Sequence, residues 1–327
     1  MNLTPEVIAR EATATGFGAG PLEKVFRLMS LLDGLNTHPF LKTRLALKGG
    51  TALNLFHFDI PRLSVDIDLN YIGAVEREAM LEERPKVEQA IQDVCSREGL
   101  NVRRMPPDHA GGKWQLRYTG ARGESGNLAL DVNFLLRAPL WPTRVATCRP
   151  LGAFRAAPVQ VLDLHELTAG KLVALLARSA SRDIFDSHAL LASAEIYPEK
   201  LRIGFVAYGG MSRKDWRMVS PEDVRADAGD VERELVPMLR TDLAPSRRTL
   251  ASWAETLVAE TRERLSLVLP LRENEREFLR RLNDLGEIEP SLLTDDPSLR
   301  EILSTHPGLG WKALNVRQLV EKQGHRT

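Results

Sequence analysis

Residues 64–69, Ser-Val-Asp-Ile-Asp-Leu, constrain this chain more than any other stretch. Val65, Ile67 and Leu69 alternate with Asp66 and Asp68, and a β-strand has a side-chain period of two. The three apolar side chains are therefore expected to enter a core while both carboxylates share the opposite face. At the usual strand rise their Cα atoms lie roughly 6–7 Å apart. Two carboxylates at that spacing can converge on one or two divalent cations. A hard cation such as Mg²⁺ takes oxygen ligands and keeps substrate phosphates among them. Just upstream, Leu45-Ala46-Leu47 reads as a strand, Gly49-Gly50 as a tight turn and Thr51 onward as a short helix. Such a turn exposes backbone N–H groups to which a phosphate can bind. Phosphate cradle and acid pair, one strand apart, outline a nucleotide site.

A third acid follows the same logic. In 127–136, Leu128, Leu130, Val132 and Phe134 alternate with Ala129, Asp131 and Asn133, so Asp131 faces away from the apolar row. Nucleotidyl transfer needs such a set: two acids for metals that bind a triphosphate, and a third for the metal, or the proton, of the attacking hydroxyl. Pyrophosphate leaves with charge that a cation must meet, and Lys171, on an expected helix over 165–177, suits that task. Each piece alone is ordinary, since a lone Asp-x-Asp is usually a solvated edge and a lone Gly-Gly a turn. Their spacing on the expected elements is what points to function. Arg178, Arg182, Asp183 and Asp186 form a second polar group with two readings. Asp183 caps a helix while Arg182 and Asp186 make an i, i+4 pair, or the acids orient Lys171 or Arg182 towards the nucleotide. The residues alone favour capping.

Other chemistries are excluded by inspection. Asp66-x-Asp68-x-Asn70 begins like a calcium-binding loop, but Tyr71 stands where Gly is needed and Arg77 where Glu is needed. There is no Gly-Lys-Ser/Thr phosphate loop, His-Glu-x-x-His or Gly-x-Ser-x-Gly sequence. The seven histidines do not cluster at ligand spacing, His57 and His188 read as structural, and Trp114, Trp216, Trp253 and Trp311 are too scattered for a base-stacking platform. Cys95 and Cys148 are the only cysteines, which excludes a disulfide framework or a cysteine-based zinc site and fits a reducing compartment. Charge is balanced: 19 basic and 17 acidic residues up to position 150, then 25 and 27. Any RNA contact must therefore come from a local patch. No signal peptide opens the chain and no apolar run approaches the roughly 18 residues of a membrane span, so a cytoplasmic location without membrane contact is expected.

At 327 residues, two lobes are expected. Helices are predicted over 5–14, from Pro21, and over 75–98 with Pro85 interrupting. Strands are predicted over 100–105, 113–118 and 127–136 and around 159–161. A helix over 165–177 and another ending near 191 follow. The remainder reads as helices over 221–239, 247–265, 271–285, 297–304 and 309–323, separated by loops such as Tyr208-Gly209-Gly210 and His306-Pro307-Gly308. This places an α/β lobe at 1–190 and a helical lobe at 191–327.

Together these motifs resemble the AbiEii/AbiGii-type toxin nucleotidyltransferases of the DNA polymerase β-like superfamily. The matching pieces are Leu47 to Leu53, Arg62 to Leu69, and Glu166 through Lys171, Arg178, Arg182-Asp183 and Asp186. Near the end of the chain, Gly286-Glu287-Ile288-Glu289-Pro290, Leu292-Leu293 and His306-Pro307 with Gly310 to Arg317 match as well. The resemblance implies an α+β, bilobed enzyme with a mixed-sheet polymerase β-like core and a helical C-terminal lobe. It implies a catalytic set of Asp66, Asp68, Lys171 and Asp183. The expected nucleotide-binding set is Lys48, Gly49, Gly50, Thr51, Ser64 and Arg182, with Asp66, Asp68 and Asp131 as ligands for Mg²⁺ or Mn²⁺. Asp131 rests on the strand alternation more than on the family pattern. The implied function is a toxin of a type IV toxin–antitoxin system, often defending bacteria against phage. It would transfer a nucleotide from a nucleoside triphosphate to RNA, such as a tRNA 3′ end, and block translation. A winged-helix antitoxin encoded nearby is the implied partner. Two other readings stay open: transfer to a protein hydroxyl, and a nucleotide-binding regulator without turnover.

Overall fold

The computed structural model describes residues 3–104 and 111–324. One residue of the strand expected over 100–105, Met105, lies outside these. Two units divide the chain: Met1–Arg137, Thr143–Leu162 and Glu232–Ser246 form the first, and Ala138–Pro142, Asp163–Val231 and Arg247–Thr327 the second. The chain crosses between the units five times, one of the crossings lying between Leu162 and Asp163.

The first unit is built on a seven-stranded mixed sheet of order β3-β4-β5-β2-β1-β7-β6. Its strands are β1 (Leu45–Lys48), β2 (Asp66–Tyr71), β3 (Asn101–Arg104), β4 (Gly111–Thr119), β5 (Ser125–Asn133), β6 (Arg144–Ala146) and β7 (Val159–Val161). β2 runs antiparallel to β1 and parallel to β5, and β5 runs antiparallel to β4. Alternation gives the sheet two faces. Leu45, Leu47, Ile67, Leu69, Trp114, Leu116, Leu128, Leu130 and Val132 are buried on one, where α2 (Ala19–Thr37) and α4 (Arg77–Arg97) contribute Leu28, Leu32, Val87 and Ile91. The other face carries the polar residues. Before α2, the helix α1 (Pro5–Thr15) starts as its sequence predicts: Thr4 Oγ1 accepts the Val7 N–H at 3.3 Å and Pro5 occupies the first turn.

Pro85 does not interrupt α4. It lies on the exposed side of the helix next to Leu81, where water can reach the backbone carbonyl that its missing N–H leaves unbonded. The helix expected over 221–239 is instead a short turn at Pro221–Asp223 and, after the non-helical residues 224–227, consecutive turns over Ala228–Asp230, Val231–Leu235 and Val236–Met238. Its second half belongs to the first unit, where the Leu63 N–H donates to the Met238 carbonyl at 2.8 Å and Arg62 bridges Leu239.

In the second unit, α5 (Leu164–Arg178) packs on α6 (Ser181–Leu191) and α7 (Pro198–Gly210), and α6 packs on the helix Leu250–Arg264. Asp163 caps α5 by accepting the His165 N–H at 2.9 Å. Tyr208-Gly209-Gly210 ends α7 rather than forming a loop. A Cβ on Gly209 would lie 2.1 Å from the Trp216 ring, so that glycine is required by close packing. Among the described residues, no helix is long and apolar enough to cross a membrane.

Candidate active site

On β2, Asp66 and Asp68 are half-buried on the polar face while Ile67 and Leu69 are buried on the other. The sheet register extends this pair sideways into a row. Lys48 on β1 stands opposite Asp68, Asp131 on β5 stands beside it, and Lys113 on β4 stands opposite Asp131. Neighbouring strands are about 4.8 Å apart, so the row brings two carboxylates side by side with a lysine at each end. Lys113 Nζ also lies 3.8 Å from Asp66 Oδ1.

The turn after β1 closes over this row. Gly49 has φ +71°, a left-handed conformation that costs glycine little, and a Cβ there would lie 2.3 Å from Asp68 Oδ2. Glycine is thus the residue that lets the backbone lie against the carboxylate. Gly50 is crowded from another side: a Cβ would lie 2.8 Å from Ser64 Oγ and 2.9 Å from Arg62 Nη2. Arg62 is buried and donates from Nη1 to the Leu63 carbonyl at 2.8 Å. Two bonds pin the turn to its surroundings: Thr51 Oγ1 donates to the Asp66 carbonyl at 2.5 Å, and Asn54 Nδ2 to the Gly50 carbonyl at 2.9 Å. Thr51 is fully buried, so its role here is to tie the turn to β2.

Lys171 and Asp183 belong to the second unit. Lys171 Nζ lies 3.0 Å from both Asp183 Oδ1 and Asp186 Oδ2, and Arg178 Nε lies 2.7 Å from Asp183 Oδ2. The two acids are buried on α6, and Lys171 reaches them from α5. Burial alone would raise the Asp183 pKa, but the Lys171 charge and the Arg178 contact outweigh it and hold the carboxyl below its ordinary value. Arg182 is half-buried on the same helix. Asp186 thus engages Lys171 directly, a contact that the i, i+4 spacing does not reveal.

A family model for the AbiEii nucleotidyl transferase toxins of type IV toxin–antitoxin systems matches residues 30–305. The chain belongs to the AbiEii family. It is accordingly a nucleotidyltransferase toxin of a type IV system. Among solved structures it is similar to MenT4, a nucleotidyltransferase toxin from Mycobacterium tuberculosis, with a TM-score of 0.57 at 18% identity over 97% of this chain and 100% of that one. That likeness concerns the fold, the mixed α+β architecture expected from the sequence. A search of curated proteins finds no match.

In this AbiEii chain the matched stretch includes the turn, the acid row and the Lys171 cluster. Among the described residues, no three His, Cys, Asp or Glu side chains converge closely enough to hold a metal ion by themselves. The donor chemistry of Asp66, Asp68 and Asp131 nevertheless fits a hard divalent cation: half-buried carboxylates that share one sheet face, to which phosphate or water would add further oxygen ligands. Lys113 is the neighbour that the sequence does not assign to this row. Its only signal was the alternation of exposed Lys113, Gln115 and Arg117 with buried Trp114, Leu116 and Tyr118.

Proposed function

We propose that this toxin transfers a nucleoside monophosphate from a nucleoside triphosphate to an RNA hydroxyl, such as a tRNA 3′ end, in the cytoplasm, and so blocks translation. The observation that carries this reading is the juxtaposition of the Gly49–Gly50 turn with the Asp68–Asp131 row on an accessible sheet face. Lys48, Gly49, Gly50, Thr51 and Ser64 form or brace the cradle for the triphosphate, with Arg182 contributing a further cation. Asp66, Asp68 and Asp131 would hold Mg²⁺ or Mn²⁺, which supplies charge neutralisation to the phosphates. The acceptor hydroxyl's oxygen bonds to the α-phosphorus as the bond to the pyrophosphate oxygen breaks, and Asp131 takes the hydroxyl's proton where it does not itself hold the metal. Lys171, oriented by Asp183 and Asp186, provides positive charge for the departing pyrophosphate. These side chains all lie in 1–190, to which we assign the transfer activity, with 191–327 as supporting helices. A winged-helix antitoxin and a role in phage defence complete the proposal.

The test incubates the protein with Mg²⁺, each α-³²P nucleoside triphosphate in turn, and cellular RNA and protein. We expect a labelled tRNA-sized band that is absent with Asp66→Asn or with excess chelator. Label in protein bands would replace the RNA acceptor with a protein hydroxyl. Nucleotide binding without any labelled product would overturn transfer in favour of a sensing role.

A further inference from the structure

The acid row continues into a strip of a different character. On β4, Lys113, Gln115 and Arg117 are exposed, and they pair across the hairpin with Asp131, Ala129 and Asn127 of β5. Paired residues share a face, so these side chains extend the polar face from the carboxylates towards the β4–β5 turn. Beyond Lys113 and Asp131 the β4–β5 hairpin carries amide, methyl, guanidinium and hydroxyl groups on this face, and Asp66 of β2 stands beside Ala129. Thr119 and Ser125 form the last pair, and the next acid within the hairpin, Glu124, lies in the turn itself. Arg117 Nε donates to Ser125 Oγ at 2.6 Å, which holds its guanidinium over the strip. The two cations are four residues apart, roughly 13–14 Å along the strand.

On the other side of Asp68 the same face is taken by Lys48 and the Gly49–Gly50 turn. The face therefore has two ends, and the glycine end suits the triphosphate. We propose that the Lys113–Gln115–Arg117 strip, with Asn127, is the track for the phosphodiester backbone of the acceptor RNA, whose terminal hydroxyl reaches Asp131. This rests on the transfer reading above and adds the acceptor's binding surface to it. Phosphate contacts position a nucleic acid without reading its sequence, and spaced cations with amide donors are the groups that make them. A strip whose exposed side chains are amides and cations, with the Ala129 methyl between them, suits a phosphodiester backbone better than an apolar protein side chain. In a chain without net charge, a strip that runs from the acids through a lysine to an arginine is also the kind of local patch that RNA needs.

Arg117→Glu and Arg117→Gln test the track, because an exposed strand position tolerates both and nucleotide binding without acceptor checks the fold. Binding of a fluorescent single-stranded RNA is measured by anisotropy across a salt series. Charge reversal is expected to weaken binding at least tenfold, and the neutral variant by less. For each phosphate no longer neutralised, the slope of log K against log salt should fall by about 0.7. If the wild type labels RNA while both variants keep its affinity and salt slope, the track is wrong and the transfer reading stands. If the wild type labels protein instead of RNA, the transfer reading fails at its acceptor and the track falls with it.

Discussion

Two groups of carboxylates in this chain meet lysine in opposite settings. On the sheet of the first unit, Asp66 and Lys113 face each other at 3.8 Å with side chains 36% and 51% exposed. In the second unit, Asp183 and Asp186 bind Lys171 at 3.0 Å with exposures of 2%, 0% and 10%. An exposed, long contact is weak and screened by water, so its members can change partners when a ligand arrives. A buried, fully bonded cluster cannot lose a member without leaving a charge in low dielectric. The same residue types thus serve exchange in one place and rigid placement in the other. Burial, rather than motif, distinguishes them.

Substitution should separate the two most widely in stability. Lys171→Met leaves two buried carboxylates without their shared cation, and urea unfolding should show a loss of about 3–5 kcal/mol. Asp66→Asn, on the accessible face, should change stability by less than about 1 kcal/mol while removing transfer. Equal losses in the two variants would erase the distinction. Acid should act on the buried cluster as well. Because Asp183 is held below its ordinary pKa, it contributes stability above that ordinary value, and the contribution is lost as pH falls through the lowered one.

A third carboxyl sharpens the comparison by being buried without a cation. Glu166 on α5 accepts the Tyr208 hydroxyl at 2.5 Å and the Leu140 N–H at 3.1 Å. Burial pushes its pKa up to about 7 against these donors. The folded protein therefore holds this proton more tightly than the unfolded chain. Stability is lost as pH rises from about 4.5 through about 7, by at most about 3 kcal/mol. Urea unfolding of the wild type and Glu166→Gln over pH 5–8 checks this, since only the wild type should carry that component. Parallel profiles would show that Glu166 is ionised throughout.

How much of this was legible in the sequence follows from the range of the interactions. Asp66 and Asp68 on one strand face, and the glycine turn before them, depend on residues a few positions apart, so period and turn chemistry sufficed. That Asp131 lies beside Asp68 depends on the parallel pairing of β2 with β5, which lie far apart in the chain, and that Lys113 joins them depends on a further hairpin register. Alternation gave the face of Asp131 but not its neighbours. The return of Glu232–Ser246 to the first unit, and the Glu166–Tyr208 bond across 42 positions, carry no local pattern at all. The loop expected at Tyr208-Gly209-Gly210 fails for a reason of the same kind. Glycine and proline mark both chain breaks and close packing, and only the neighbouring Trp216 shows which applies.

The smallest expected effect is the most exacting test of the exposed pair. If Asp66 and Lys113 are merely adjacent, a double-mutant cycle of Asp66→Asn and Lys113→Gln should give a coupling below about 1 kcal/mol in unfolding free energy, fading as salt is raised. Asp66 could then turn to another cation at little cost, because the contact it gives up is weak. Adding Mg²⁺ should lower that coupling further in the wild-type background, since a cation bound at the acids competes with the lysine for the same oxygens. A coupling above about 2 kcal/mol, insensitive to salt and to Mg²⁺, would place this pair with Lys171 and its acids as fixed structure. The difference between the two regions would then lie in position alone.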